Sequence, residues 1–157
     1  MNALPPKFDK WFASKGWSIH PHQQQMLDRA DAPALLLIAP TGGGKTLSGF
    51  LPTLVDLADG NHQGMHTLYI SPLKALAADI KRNLTTPVTE MGLPITIDER
   101  TGDTTATRRK RQRADPPHIF LTTPESLALL VSYEDAPRMF KGLKRVVIDE
   151  IHALAES

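Results

Sequence analysis

The sequence predicts an α/β protein: an open, mostly parallel sheet with helices on its faces. Two observations predict it. Short, continuously apolar runs recur along the 157 residues, as in strands buried on both faces of a parallel sheet. Helix-like segments separate these runs, which calls for right-handed βαβ crossovers. Ligands of such sheets bind beyond the carboxyl ends of the strands, and the polar motifs of this chain fall just past those ends.

Near the N-terminus, Phe8, Trp11 and Phe12 sit at i, i+3 and i+4, the spacing of a helix that buries one face. The expected strands are "ALLLIA" (34–39), "HTLYIS" (66–71), "ITIDER" (95–100), "HIFLTT" (118–123) and "RVVIDE" (145–150). Helices are expected over 46–57, 73–84, 104–113 and 124–131. Pro124 stands well at the start of the last one. There is no internal repeat and no low-complexity linker.

Composition narrows the chemistry. The chain has no cysteine, which removes disulfides, thiolate zinc sites and cysteine nucleophiles and suits a reducing, cytoplasmic setting. The first residues lack a basic start followed by an apolar run, so no secretory signal is read there. No apolar stretch reaches about 18 residues, so no membrane span is expected. The net charge is +1 and is uninformative. Its distribution is not, because Arg108, Arg109, Lys110, Arg111 and Arg113 crowd together. That run reads either as an extension of a nucleic-acid track or as a solvated helix face.

"APTGGGKT" (39–46) follows an expected strand and opens an expected helix, the context of a phosphate loop. Pro40, Thr41, Gly42, Gly43 and Gly44 allow a tight turn whose N–H groups converge on one anion. The helix N-terminus adds its positive dipole end. Lys45 brings a charge for the β- and γ-phosphates, and Thr46 a hydroxyl ligand for Mg²⁺. Ala39 stands where the strict motif has glycine. A second acid is needed at the same sheet end, and "VVIDE" supplies it. Asp149 would hold Mg²⁺, and Glu150 would orient and deprotonate the attacking water.

"APTGGGKT" with "DEIH" resembles the DExH-box helicases of superfamily two. "SPLKALAADI", "RTGDT" and "TTPESL" follow in that family's order. The wording is most similar to the Lhr-like ("large helicase-related") branch, and within it to the bacterial ligase-associated DEXH-box DNA helicases. The resemblance implies a RecA-like P-loop domain. It divides the chain into N-terminal helices with an adenine-recognising glutamine (1–33) and a first RecA-like ATP-binding domain (34–157), incomplete at its C-terminus.

The resemblance also implies roles. Gln23, in a Pro-x-Gln pattern, would read adenine, since a carboxamide both donates and accepts. Gln24 and Gln25 read as a surface helix. His152 would couple the nucleotide site to a second domain. Ser71, Pro72 and Lys74, then Thr101, Gly102 and Asp103, then Thr122, Thr123, Pro124 and Glu125 would grip nucleic acid by its phosphates. The implied cofactors are ATP and Mg²⁺. The implied partners are single-stranded DNA ahead of RNA, a second RecA-like domain that this chain lacks, and a DNA ligase or nuclease in repair. Such motors run 3′ to 5′ and need the second domain's arginine fingers, so the 157 residues alone are expected to be inactive. The strand following DExH would insert between that strand and the phosphate-loop strand, leaving a gap in this chain's sheet. A nucleotide-responsive binding module without motor activity stays open as an alternative, as does an RNA helicase.

Overall fold

The computed structural model describes residues 3–38 and 44–155. Two helices come first, α1 (Pro6–Ser14) and α2 (Pro21–Asp28). Next come α3 (Lys45–Leu57), β1 (Thr67–Ile70), α4 (Lys74–Met91), β2 (Ile97–Arg100) and α5 (Ala106–Ala114). The chain continues through β3 (Ile119–Thr122), α6 (Pro124–Val131), α7 (Ala136–Met139), β4 (Arg145–Ile148) and α8 (Ile151–Ala155). The strands form one sheet in the order β2-β3-β1-β4, and every pairing is parallel.

The register matters for function. Ile70 lies opposite both Thr122 and Ile148, and Thr122 opposite Arg100. All four strands therefore end in one layer, and Thr101, Thr123, Ser71 and Asp149 follow side by side along one sheet edge.

Side chains alternate across the sheet. Ile119 and Leu121 of β3 join Tyr69 in a core with Phe8, Trp11 and Phe12 of α1, Leu27 of α2, Phe50, Leu51 and Leu54 of α3, and Leu84 of α4. Phe120 faces the other way, into a smaller core with Met65, Leu68, Leu130 and Met139. The aromatic triplet near the N-terminus is thus core, as its spacing requires. Helix α4 runs past its expected end at 84, with Pro87 inside it. Leu84, Pro87, Val88 and Met91 are all buried on one face, and that packing outweighs the lost helix hydrogen bond. Gly92 then ends it in the left-handed region, at φ 62°.

One expected strand does not form. Residues 34–38 are irregular, and Ile38 is 86% exposed. A strand needs a ladder partner, and β1 already has β3 on one side and β4 on the other. Strand β4 has no partner on its outer edge among the described residues, and its Val146 and Ile148 are exposed as well. Both segments line one cleft of about 440 Å³ without sharing hydrogen bonds across it. Among the described residues, no helix is long and apolar enough to cross a membrane.

Candidate functional site

The cleft between residues 34–38 and β4 also holds the start of α3. Gly44 caps α3 in the left-handed region, at φ 74°, and accepts from Ser48 Oγ at 2.8 Å. Lys45 Nζ lies 3.6 Å from Asp149 Oδ1, too long for a tight ion pair, and Thr46 lines the same cleft. A hydroxyl and a carboxylate are hard oxygen donors of the kind Mg²⁺ takes, so this pair fits that ion. Pro40, Thr41, Gly42 and Gly43 lie outside the described residues.

Asp149 is held from two sides. The Tyr69 hydroxyl donates to its Oδ2 at 2.9 Å, and the Glu150 N–H to its Oδ1 at 2.9 Å. Burial, then the charge of Asp149, push the Tyr69 hydroxyl well above its ordinary pKa, so it stays a donor. Nothing in the sequence singled out Tyr69, because an aromatic in an apolar strand reads as core. Glu150 is the one non-glycine residue among those described with positive φ, 54°. Left-handed backbone at a glutamate costs on the order of 1–2 kcal/mol. His152 Nε2 meets Glu150 Oε2 at 2.9 Å.

Gln23 is 2% exposed. Its Oε1 accepts from the His20 N–H at 2.8 Å, capping α2. Its Nε2 lies against Gly44, where an added Cβ would come within 3.0 Å. The glutamine thus lies against Gly44, with one of its two polar side-chain atoms spent on the helix cap.

A second concavity, of about 690 Å³, lies along the same sheet edge. Pro72, Lys74, Gly102, Thr123 and Glu125, drawn from all three expected nucleic-acid motifs, line it. Lys74 Nζ pairs with Asp103 Oδ2 at 3.0 Å across two of those motifs. Other members of the motifs turn inward. Ser71, Thr101 and Thr122 are buried. Their hydroxyls accept from the Leu73 N–H at 3.2 Å, accept from the Asp103 N–H at 3.2 Å and donate to the Arg100 carbonyl at 2.8 Å. Thr123 caps α6, accepting from the Ser126 N–H at 3.3 Å. Pro124 opens that helix.

The basic run at 108–113 is largely neither a solvated face nor a free track. Arg108 bonds Asp98 at 2.5 Å, and Gln112 bonds it at 2.8 Å. Burial pushes the Asp98 carboxyl up, but these bonds, with the Glu99 N–H and Lys81, hold it down at about 2. Arg113 sits 4.1 Å from the Tyr133 ring centre and pairs with Asp135 at 3.1 Å. Arg109 donates to the carbonyls of Thr101 and Gly102, at 3.1 and 3.3 Å. Only Lys110 and Arg111 are exposed. The alternation of a helix explains this: successive basic residues cannot share a face, and α5 packs on the sheet through the ones that point inward.

Comparison with known proteins agrees with this geometry. The family model described as "DEAD/DEAH box helicase" matches residues 20–157. An Lhr helicase of Mycolicibacterium smegmatis is 45% identical over 76% of this chain and 9% of its own length. The "ATP-dependent helicase Lhr-Core" of Methanocaldococcus jannaschii is 37% identical over 92% of this chain and 19% of its own. The chain thus spans a fifth or less of these relatives. Among solved structures, Mycobacterium smegmatis helicase Lhr bound to ssDNA and AMP-PNP superposes with a TM-score of 0.86 at 39% identity, covering 97% of this chain and 21% of that one. The DUF1998 helicase MrfA bound to DNA and AMPPNP gives 0.83 at 30% identity, covering 96% and 21%.

Proposed function

Because the chain belongs to the DEAD/DEAH box helicase family and has its RecA-like α/β fold, we propose that it is part of an ATP-dependent motor that moves along single-stranded DNA. In this reading residues 34–157 form the first ATP-binding domain, and residues 1–33 add the helices that carry Gln23. The observation that carries it is the shared sheet edge. Asp149, which Lys45 faces, and the trough lined by Lys74 and Gly102 follow strands that end in one layer.

Gln23 reads the adenine with the polar atom its helix cap leaves over. Lys45 neutralises the terminal phosphates. Thr46 and Asp149 hold Mg²⁺, which shields phosphate charge when bound. Glu150 orients the attacking water and takes its proton, and His152, already against Glu150, links that acid to a facing second domain. The solved Lhr structure, bound to ssDNA and AMP-PNP, supports the choice of ligands. Movement 3′ to 5′, work in DNA repair and a ligase or nuclease partner complete the proposal.

The test is ATP hydrolysis by the full-length protein, with single-stranded DNA against RNA. DNA is expected to stimulate it, Lys45→Ala to abolish it, and Glu150→Gln to leave ATP bound but uncut. Full turnover by Glu150→Gln would remove Glu150 as the base. Stimulation by RNA alone would replace the DNA motor with an RNA one, and no stimulation by either would sink the motor reading.

A further inference from the structure

Arg109 stands at the end of the first turn of α5, and its guanidinium reaches back to the 101–103 turn. One terminal nitrogen donates to the Thr101 carbonyl at 3.1 Å and the Gly102 carbonyl at 3.3 Å. The turn is closed by its own side chains as well. The Thr101 N–H donates to Thr104 Oγ1 at 3.0 Å, and the Asp103 N–H to Thr101 Oγ1 at 3.2 Å. Among the described residues, only the Gly102 N–H of that turn is left without an acceptor. The Thr101 carbonyl and the Gly102 N–H share one trans peptide plane and point in opposite directions. The Thr101 carbonyl also accepts from the Thr104 N–H at 3.2 Å, and pinning it to α5 as well holds the Gly102 N–H aimed away from α5, on the exposed side of the turn. Gly102, Arg109 and Lys74 line the same trough.

We propose that Arg109 is a positioning residue for nucleic acid: it fixes the 101–103 turn so that the Gly102 N–H meets a backbone phosphate beside Lys74. This rests on the reading of the trough as a nucleic-acid site. Arg109 acts through the turn: one terminal nitrogen is spent on the two carbonyls, and among the described residues its buried Nε has no hydrogen-bond partner.

The experiment uses the full-length protein and dye-labelled oligothymidine, with binding measured at several salt concentrations and ATPase titrated with the same oligomer. Arg109→Met keeps the stem and removes the donors. It is expected to weaken binding about tenfold, the loss of one or two hydrogen bonds to a charged group. The oligomer concentration for half-maximal stimulation should rise alongside. The salt slope of binding should also stay as in wild type, since no phosphate contact of Arg109 is lost. Thr104→Val, which opens the same turn with Arg109 intact, should shift binding the same way, and Lys110→Ala should not. Unchanged binding by Arg109→Met overturns the positioning role. A salt slope reduced by about 0.7 overturns it in favour of direct phosphate contact. Wild-type protein that hydrolyses ATP but binds no oligothymidine overturns both this role and the reading of the trough beneath it.

Discussion

The Tyr69 hydroxyl donates to Asp149 Oδ2 at 2.9 Å, and it does so from the strand next to the one that carries Asp149. The acid that would hold the metal is thereby fixed by a buried neighbour rather than left to rotate. Tyr69→Phe removes the donor and little else. In the full-length protein it is expected to raise the Mg²⁺ concentration needed for half-maximal ATPase by about 10- to 100-fold, the usual cost of losing a partner behind a metal ligand. An unchanged Mg²⁺ titration would show that Asp149 needs no such support.

His118 makes stability depend on pH. Its Nδ1 accepts from the Thr96 N–H at 3.0 Å, so that nitrogen carries no proton, and burial holds the imidazole pKa below its ordinary value. The unfolded chain takes the proton more readily than the folded one. Stability is therefore full above about pH 6.5 and falls as the pH drops from there toward the folded-state value. His118→Asn should lower stability at pH 7.5 and flatten its decline below pH 6.5. Urea unfolding of the full-length protein across that range, read from this region, checks both.

Much of this site was legible because its motifs sit where strands end. "VVIDE" and "HIFLTT" each name a strand and the residue that leaves its tip, and parallel register does the rest. The first strand misled for a physical reason. "ALLLIA" has the composition of a buried strand, but composition does not supply a ladder partner. The basic run misled differently. Charge density at 108–113 suggested water or nucleic acid, whereas Asp98, Asp135, Tyr133 and two carbonyls take up most of it. Those acceptors lie up to 22 residues away along the chain, beyond the reach of a local pattern.

Arg100 is the oddest buried group. It is 1% exposed, and among the described residues none of its three guanidinium nitrogens has a partner at hydrogen-bond distance. It sits over the Tyr133 ring, 5.6 Å from its centre. Burial lowers its pKa, the Tyr133 hydroxyl opposes that, and the charges of Arg109 and Arg113 add to the lowering. An apolar side chain of similar length in place of a buried charge is commonly neutral or stabilising by about 1–4 kcal/mol. Arg100→Met should therefore slow amide exchange in β2 and β3 of the full-length protein. Faster exchange would mean that the guanidinium has a partner in the whole protein.

The outer edge of β4 leads to the last expectation. Val146 and Ile148 are each 48% exposed, and they face a cleft whose other wall is the apolar segment 34–38. A free, apolar strand edge recruits other strands, and natural proteins suppress this with lysine. The 157-residue chain alone should self-associate, and Val146→Lys should reduce its light scattering. In the full-length protein we propose that a further strand fills the cleft between β4 and residues 34–38. There the same substitution would put a charge beside a paired strand and cost several kcal/mol. Opposite effects of Val146→Lys in the two settings would support a filled cleft, and a neutral effect in the full-length protein would mean that the edge stays open to water.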